Sequence, residues 1–324
     1  MSTRIKDPGL YEIPTIDYLA DPCPEPSLSN SIVRELIWPS APRRAWAAHP
    51  RLNPQHLEDY SRRTELGSVA HELLLHAGRG IVSIEADSYR TVDARLAREA
   101  AYAAGRMPVL AADLARAEDM VATARKQLKA YDEAAAFLSL EGDDKCKSEI
   151  TAAWLEGGVW GRTLIDRLLL TDRWEVWDYK TTSRLVNPAA EGLGIHFTDN
   201  GYDTQAVMIE RALTALFPNV GGRLKFRFLF QETEPPHLIS VVEPDPATME
   251  IARRKVSEAF NTWAYCLRSN TWPGYPTRIV QLRHAEWLAN RWLAHEIEDA
   301  DTALVPPPKP AQPLPEGQTI IDAG

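Results

Sequence analysis

Glu149, Asp166, Asp178 and Lys180 lie in one stretch of the chain, residues 148–182. Carboxylates are hard, anionic oxygen donors. Three of them gathered around one point repel each other unless a cation sits between them. With a lysine at hand the set suits Mg²⁺ and an attacking water, because Mg²⁺ takes one or two carboxylates together with substrate phosphate. Whether the acids are gathered at all is a question of strand register.

Runs 149–155, 159–170 and 174–181 are rich in β-branched, aromatic and leucine residues. Gly157-Gly158 separates the first two and Thr171-Asp172-Arg173 the last two, a two-residue and a three-residue hairpin signal. The first turn pairs positions whose numbers sum to about 315 and the second those that sum to about 344. Glu149 then falls opposite Asp166, and Asp166 opposite Asp178, one row across the sheet. Lys180 follows Asp178 by one strand period and shares its face, while Tyr179 points the other way. Taken singly, each residue also fits a solvated antiparallel sheet whose charges face water.

Asp166 followed by Asp178-Tyr179-Lys180-Thr181-Thr182 resembles the PD-(D/E)xK nuclease signature in its Asp…Asp-x-Lys form, and the flanking details resemble the RecE-type branch, the exodeoxyribonuclease VIII C-terminal type of phages and prophages. Gly67-x-x-x-His71 lies on one face of a helix with Leu74. Its chemistry alone fits a hydrogen-bonded core histidine, whereas the resemblance makes His71 part of the metal site. Further on, Gln205 matches the family's Gln-x-x-x-Tyr motif, except that Ile209 stands where the tyrosine belongs and Tyr202 lies one turn earlier.

The resemblance implies an α/β fold with a restriction-endonuclease-like core, a central mixed β-sheet flanked by helices. It implies Mg²⁺, with Mn²⁺ as a substitute, held by His71, Asp166, Asp178 and the backbone carbonyl of Tyr179. Glu149 would touch the metal's water or serve only the sheet. Lys180 would steer and deprotonate the water or neutralise the phosphate, Gln205 would position the scissile nucleotide, and Tyr202 and Arg162 would contact DNA. The activity implied is a DNA exonuclease acting on linear double-stranded ends, 5′ to 3′, in recombination or repair. Its implied partners are a single-strand annealing recombinase and further copies of the chain in a ring. Another end-processing nuclease of the same fold and a catalytically silent DNA-binding scaffold are the alternatives.

Composition bounds these readings. With 44% apolar and 25% charged residues the chain is expected to be globular, and no run approaches the ~18 apolar residues of a membrane span. The first 21 residues lack a basic region followed by an apolar core, so no secretory signal is expected. Cys23, Cys146 and Cys266 are scattered, which fits a reducing cytoplasm and gives no spacing for a zinc or iron–sulfur cluster. A net charge of −9 argues against general nucleic-acid affinity and leaves room only for local basic tracks. The candidates are Arg43, Arg44, Arg51, Arg62 and Arg63, and the alternation Arg223, Lys225 and Arg227. For both, a solvated surface is an equal account.

The organisation expected is a loop-rich N-terminal arm over 1–64 with one helix, a nuclease domain over 65–300, and a proline-rich disordered tail over 301–324. Within the domain the pattern predicts helices over about 93–104 and 110–138, a polar loop over 184–201, and a helix from Tyr202. Strands over about 223–231 and 237–243 follow, then a helix over 246–269, and a last one over about 283–298 that docks on its own core or on a partner subunit. Trp263, Tyr265 and Trp272 are read as core aromatics or as platforms for bases.

Overall fold

The structure, a computed structural model, describes residues 4–53, 55 and 66–302. They divide into two compact units, Met1–Tyr275 and Pro276–Gly324. In the first, chain order runs β1 (Gly9–Tyr11), α1 (Thr15–Leu19), α2 (Asn30–Leu36), α3 (Pro42–Ala48), α4 (Leu66–Leu75), β2 (Ile81–Ile84), α5 (Val92–Ala103), β3 (Met107–Leu110), α6 (Ala111–Leu128) and α7 (Ala135–Ser139). It continues with β4 (Cys146–Glu156), β5 (Val159–Leu169), β6 (Glu175–Thr182), α8 (Glu191–Asp199), α9 (Tyr202–Leu216), β7 (Lys225–Glu232), β8 (Ile239–Val242) and α10 (Pro246–Ser269). The second unit contains α11 (Glu286–Thr302), whose Trp287, Trp292, Leu293 and Ile297 are exposed.

Six strands form one mixed sheet in the order β1-β4-β5-β6-β7-β8, with β6 and β7 parallel and every other neighbouring pair antiparallel. The hairpin between β4 and β5 closes on Gly157 and Gly158, both at positive φ (57° and 80°), which a two-residue turn demands and glycine meets without strain. The chain returns from β6 to β7 through α8 and α9, as a parallel pair requires. Because helices cover both faces, the central strands read as nearly continuous apolar runs. On β7, Phe226, Phe228 and Phe230 join the core that holds α9, α10 and α2, while Leu229 between them joins the core under α4 and α6. The α/β class with a central mixed sheet between helices is thus the observed architecture.

Several expectations change. The N-terminal segment is no arm: β1 pairs with β4 at the sheet edge, α2 buries Ile32, Val33 and Leu36, and Leu28 bridges to Gly161. The compact unit ends at Tyr275, not near residue 300. Within the expected loop 184–201 lies α8, which buries Leu193 and Phe197. The helix expected over 110–138 stops at Leu128, and a parallel pair, β2 and β3, was not foreseen because each strand has only four residues. Trp263 is buried with Trp272 packed against its ring, so both serve the core. The proline-rich tail from residue 303, with Arg62 and Arg63, lies outside the described residues.

Candidate metal centre

The register arithmetic holds along both hairpins. Ile150 pairs with Ile165 and Ser148 with Arg167, both sums of 315, and Arg167 pairs with Trp177, a sum of 344. Glu149 and Asp166 therefore stand opposite each other, yet this one position drops out of the ladder. Glu149 adopts φ +52°, the left-handed region in which a side-chain-bearing residue costs about 1 kcal/mol or more. Strand alternation breaks in both strands here. Ile150 and Ile165 enter the core beside α9, whereas Ser148 and Arg167, two residues away and nominally on the same face, bond each other on the α4 side.

Between β5 and β6 the ladder ends at Arg167 and Trp177. Further toward the start of β5, that flank is taken by Leu28, bonded to Trp160 and Arg162. The strands part between these two contacts. In the gap the Asp166 carboxylate takes the place of a ladder acceptor and receives the Tyr179 N–H at 3.0 Å.

Helix α4 supplies His71. Its Nε2 lies 2.9 Å from Asp166 Oδ2 and its Nδ1 3.4 Å from Glu149 Oε1. One ligand atom from each of His71, Glu149 and Asp166 falls within 4.8 Å of the others, the geometry of a cation site. Gly67 lets the helix come this close: a Cβ there would overlap the Thr181 hydroxyl on β6.

Asp178 stands beside this group rather than in it. Its side chain is turned toward α9, where Gln205 Nε2 donates to Oδ2 at 2.5 Å, and Lys180 Nζ is 2.5 Å from Oδ1. That Oδ1 is buried and takes no aligned hydrogen bond. The expected row of three acids therefore divides into Glu149 with Asp166 on the His71 side and Asp178 turned toward α9, while Lys180 contacts Asp178 and lines the same cleft as His71. Tyr202, at the start of α9, places its ring 5.1 Å from the Lys180 ammonium, a cation–π contact. Tyr179 turns its hydroxyl away to Gln231, on the side opposite Asp178 as expected.

Electrostatics follow from this crowding. Burial raises Glu149, the Asp166 and Glu72 charges add to it, His71 opposes, and the outcome is about 7. Burial and the Asp166 charge push Asp178 up to about 6 against the pull of Lys180. For Asp166 burial is outweighed by the His71 and Lys180 charges and by the hydrogen bonds from His71 and Tyr179, so it is held down to about 2. Burial would lower His71 and Lys180, but the surrounding carboxylates raise both. The carboxylates beside Lys180 thus favour its ammonium form, which suits it to anchoring negative charge.

His71, Glu149, Asp166 and Lys180 line a cleft of about 530 Å³ together with residues of α1, α4 and the Gly78-Arg79 loop, and Asp178 does not reach it. Two of its residues escaped the sequence reading. Glu72 is a further acid beside His71, accepting the Arg79 N–H, and Thr15 from α1 hydrogen-bonds Glu149. Adjacency to His71 was the only signal for Glu72, and nothing in sequence pointed to Thr15.

Arg162 corrects an expectation. It is 3% exposed, and its guanidinium binds Ser27 and the Tyr18 carbonyl and pairs with Asp21 at 3.2 Å. With His49 and Arg51 also on Asp21, it fastens the N-terminal segment to β5 and has no face left for DNA. The basic tracks shrink likewise. Arg227 is buried between Glu175 and Glu243, Arg223 binds the Asp172 carbonyl, and Arg44 pairs with Glu35.

Residues 40–278 match the family model of the PD-(D/E)XK nuclease superfamily. Comparison with curated proteins gives no match. Among solved structures, a Eubacterium rectale protein described as a "putative exonuclease" is similar at TM-score 0.45 and 10% identity, covering 80% of this chain and 91% of that one. SSO0001 is similar at TM-score 0.24 and 13% identity, covering 66% of this chain and 96% of that one.

Proposed function

The chain belongs to the PD-(D/E)XK nuclease superfamily, and from that premise we propose that it is a Mg²⁺-dependent exodeoxyribonuclease acting on the ends of linear double-stranded DNA. The observation that carries the reading is the convergence of His71, Glu149 and Asp166 on one point of the cleft, with the Lys180 ammonium beside it. The donor set fits a hard divalent cation: one imidazole nitrogen and carboxylate oxygens, one of which, on Glu149, is buried among anions whose repulsion a cation would offset. The Asp178 Oδ1 and the Tyr179 carbonyl, on the strand next to Asp166, are the further oxygens available.

Such a cation would supply Lewis acidity toward the phosphate and lower the pKa of water. The protein's own groups do the rest. Lys180, kept charged by Asp178 and Asp166, faces the negative charge that builds on the phosphate during attack. Gln205 holds Asp178 with one amide hydrogen, which sets the direction of that carboxylate and places the Gln205 head group at the edge of the site. Tyr202 covers Lys180 and keeps water from that side of the ammonium. His71, Glu149 and Asp166 would hold the cation, and His71 would bind it through a neutral imidazole.

Action on duplex ends, 5′-to-3′ polarity, a single-strand annealing partner, ring assembly and a cytoplasmic setting belong to the proposal through the RecE-type resemblance. End-labelled linear duplex and closed circular DNA, each with about 5 mM Mg²⁺ or with EDTA, test it. Mononucleotides released from the linear DNA alone, and only with Mg²⁺, are expected. Nicked circles would replace the exonuclease by an endonuclease, and unchanged DNA that is still bound would leave a silent scaffold.

A further inference from the structure

Arg167 follows Asp166 directly and is 1% exposed, among the largest fully buried side chains of the protein. Among the described residues no carboxylate lies within ion-pair distance of its guanidinium. Its hydrogen bonds go to the carbonyls of Leu74 at 3.3 Å, Leu75 at 3.1 Å and Phe137 at 3.3 Å, and to the Ser148 hydroxyl at 3.3 Å. The Phe137 ring lies under it at 4.3 Å. A buried cation with no anion in direct contact is costly; Glu141 acts on it by charge from farther away, and the direct compensation comes from the carbonyls that end α4, the negative pole of that helix.

Helix α4 is the one that carries His71. In a regular strand Asp166 and Arg167 would point to opposite faces. Because alternation breaks at Asp166, both reach α4: Asp166 Oδ2 takes the His71 ring at 2.9 Å, and Arg167 takes the carbonyls one turn further along. Two successive residues of β5 thus grip the helix at two points. Arg125 of α6 also donates to the Leu74 carbonyl at 3.3 Å, but only Arg167 joins that end of α4 to the strand that carries Asp166, and the Gly67 contact with Thr181 limits only how near the helix comes to the sheet.

We propose that Arg167 is a positioning residue of the metal centre, which locks the C-terminal turn of α4 to β5 and thereby sets His71 at ligating distance from Asp166 and Glu149. The inference rests on reading the cleft as a metal site. Residues that orient a ligand from behind are worth about 10- to 100-fold in metal affinity, and a residue that acts only through His71 has no effect once His71 is gone.

The test is a double-mutant cycle on Mn²⁺ affinity, measured on the full chain by calorimetric titration and by the electron paramagnetic resonance of free Mn²⁺. Urea unfolding without metal is run alongside. Arg167→Met is expected to weaken Mn²⁺ binding about 10-fold or more in the parent and by less than about 2-fold in the His71→Ala background. Arg167→Lys, which keeps the charge but reaches fewer carbonyls, should fall between, and it replaces the methionine variant in the cycle if that one does not fold. An equal loss in both backgrounds, or no loss in either, overturns the proposal. A parent protein that binds no Mn²⁺ overturns the metal-site reading itself, and this inference with it.

Discussion

Glu149→Gln gives the sharpest test of the electrostatics, because it removes one charge from a buried anionic group without changing its size. In the folded protein Glu149 is pushed from its ordinary 4.5 to about 7 by burial and by the Asp166 and Glu72 charges, with His71 opposing. A group whose folded value is raised contributes stability that is fully present below its unfolded value and is lost as pH rises through the folded one. Metal-free parent protein should therefore lose stability between about pH 4.5 and pH 7 on this account, then lose no more. At about 1.4 kcal/mol per pH unit, the shift from 4.5 to about 7 amounts to roughly 3 kcal/mol as an upper value. Loss of the 3.4 Å contact with His71 works the other way in the variant, so a net gain of about 1–3 kcal/mol at pH 8.5 is expected, and about zero below pH 4.5. Contributions from Asp166 and Asp178 are common to both chains and largely cancel in the difference. Urea unfolding in EDTA at about pH 4.5, 6 and 8.5 reads it directly. Adding about 5 mM Mn²⁺ at the highest pH should shrink or reverse the variant's advantage, because the cation binds the folded parent more tightly. Parallel stability curves for parent and variant across this range would refute the argument that crowded carboxylates await a cation.

Asp178→Asn should lower cleavage of linear duplex by about 100-fold or more while far-UV circular dichroism stays that of the parent. Gly67→Ala should cost about 1–3 kcal/mol and weaken Mn²⁺ binding, since its methyl would overlap the Thr181 hydroxyl; Thr181→Ala in the same chain should recover most of both losses. Arg162→Ala should cost about 3–5 kcal/mol in urea unfolding by leaving Asp21 buried with weaker compensation, and the fraction still folded should bind duplex DNA with parental affinity. Lys180→Gln should abolish cleavage with DNA binding retained in gel-shift assays in Ca²⁺, and raising the pH should not rescue it, the outcome expected of a group proposed to act as a charge and not as a base.

Turn chemistry is short-range, and for that reason the sequence alone determined the hairpins. Gly157-Gly158 and Thr171-Asp172-Arg173 each fix a pairing sum, and those sums put Glu149, Asp166 and Asp178 on neighbouring strands. Helices such as α10 were equally legible, with Asp245 capping its first turn and Asn270 ending it in the left-handed conformation. The tertiary structure decided which face each acid took. Regular alternation would keep them in one row, but the strands part beyond Arg167 and Trp177 and the ladder skips Glu149. Asp166 then turns to His71, and Asp178 to Gln205. Arg162 and Arg167 make the same point: both are arginines on β5, and sequence offers no means of telling that one anchors the N-terminal segment and the other ends a helix. Burial against elements distant in the chain is a long-range condition, met only when α4, α9 and the segment around Ser27 have all closed on the sheet.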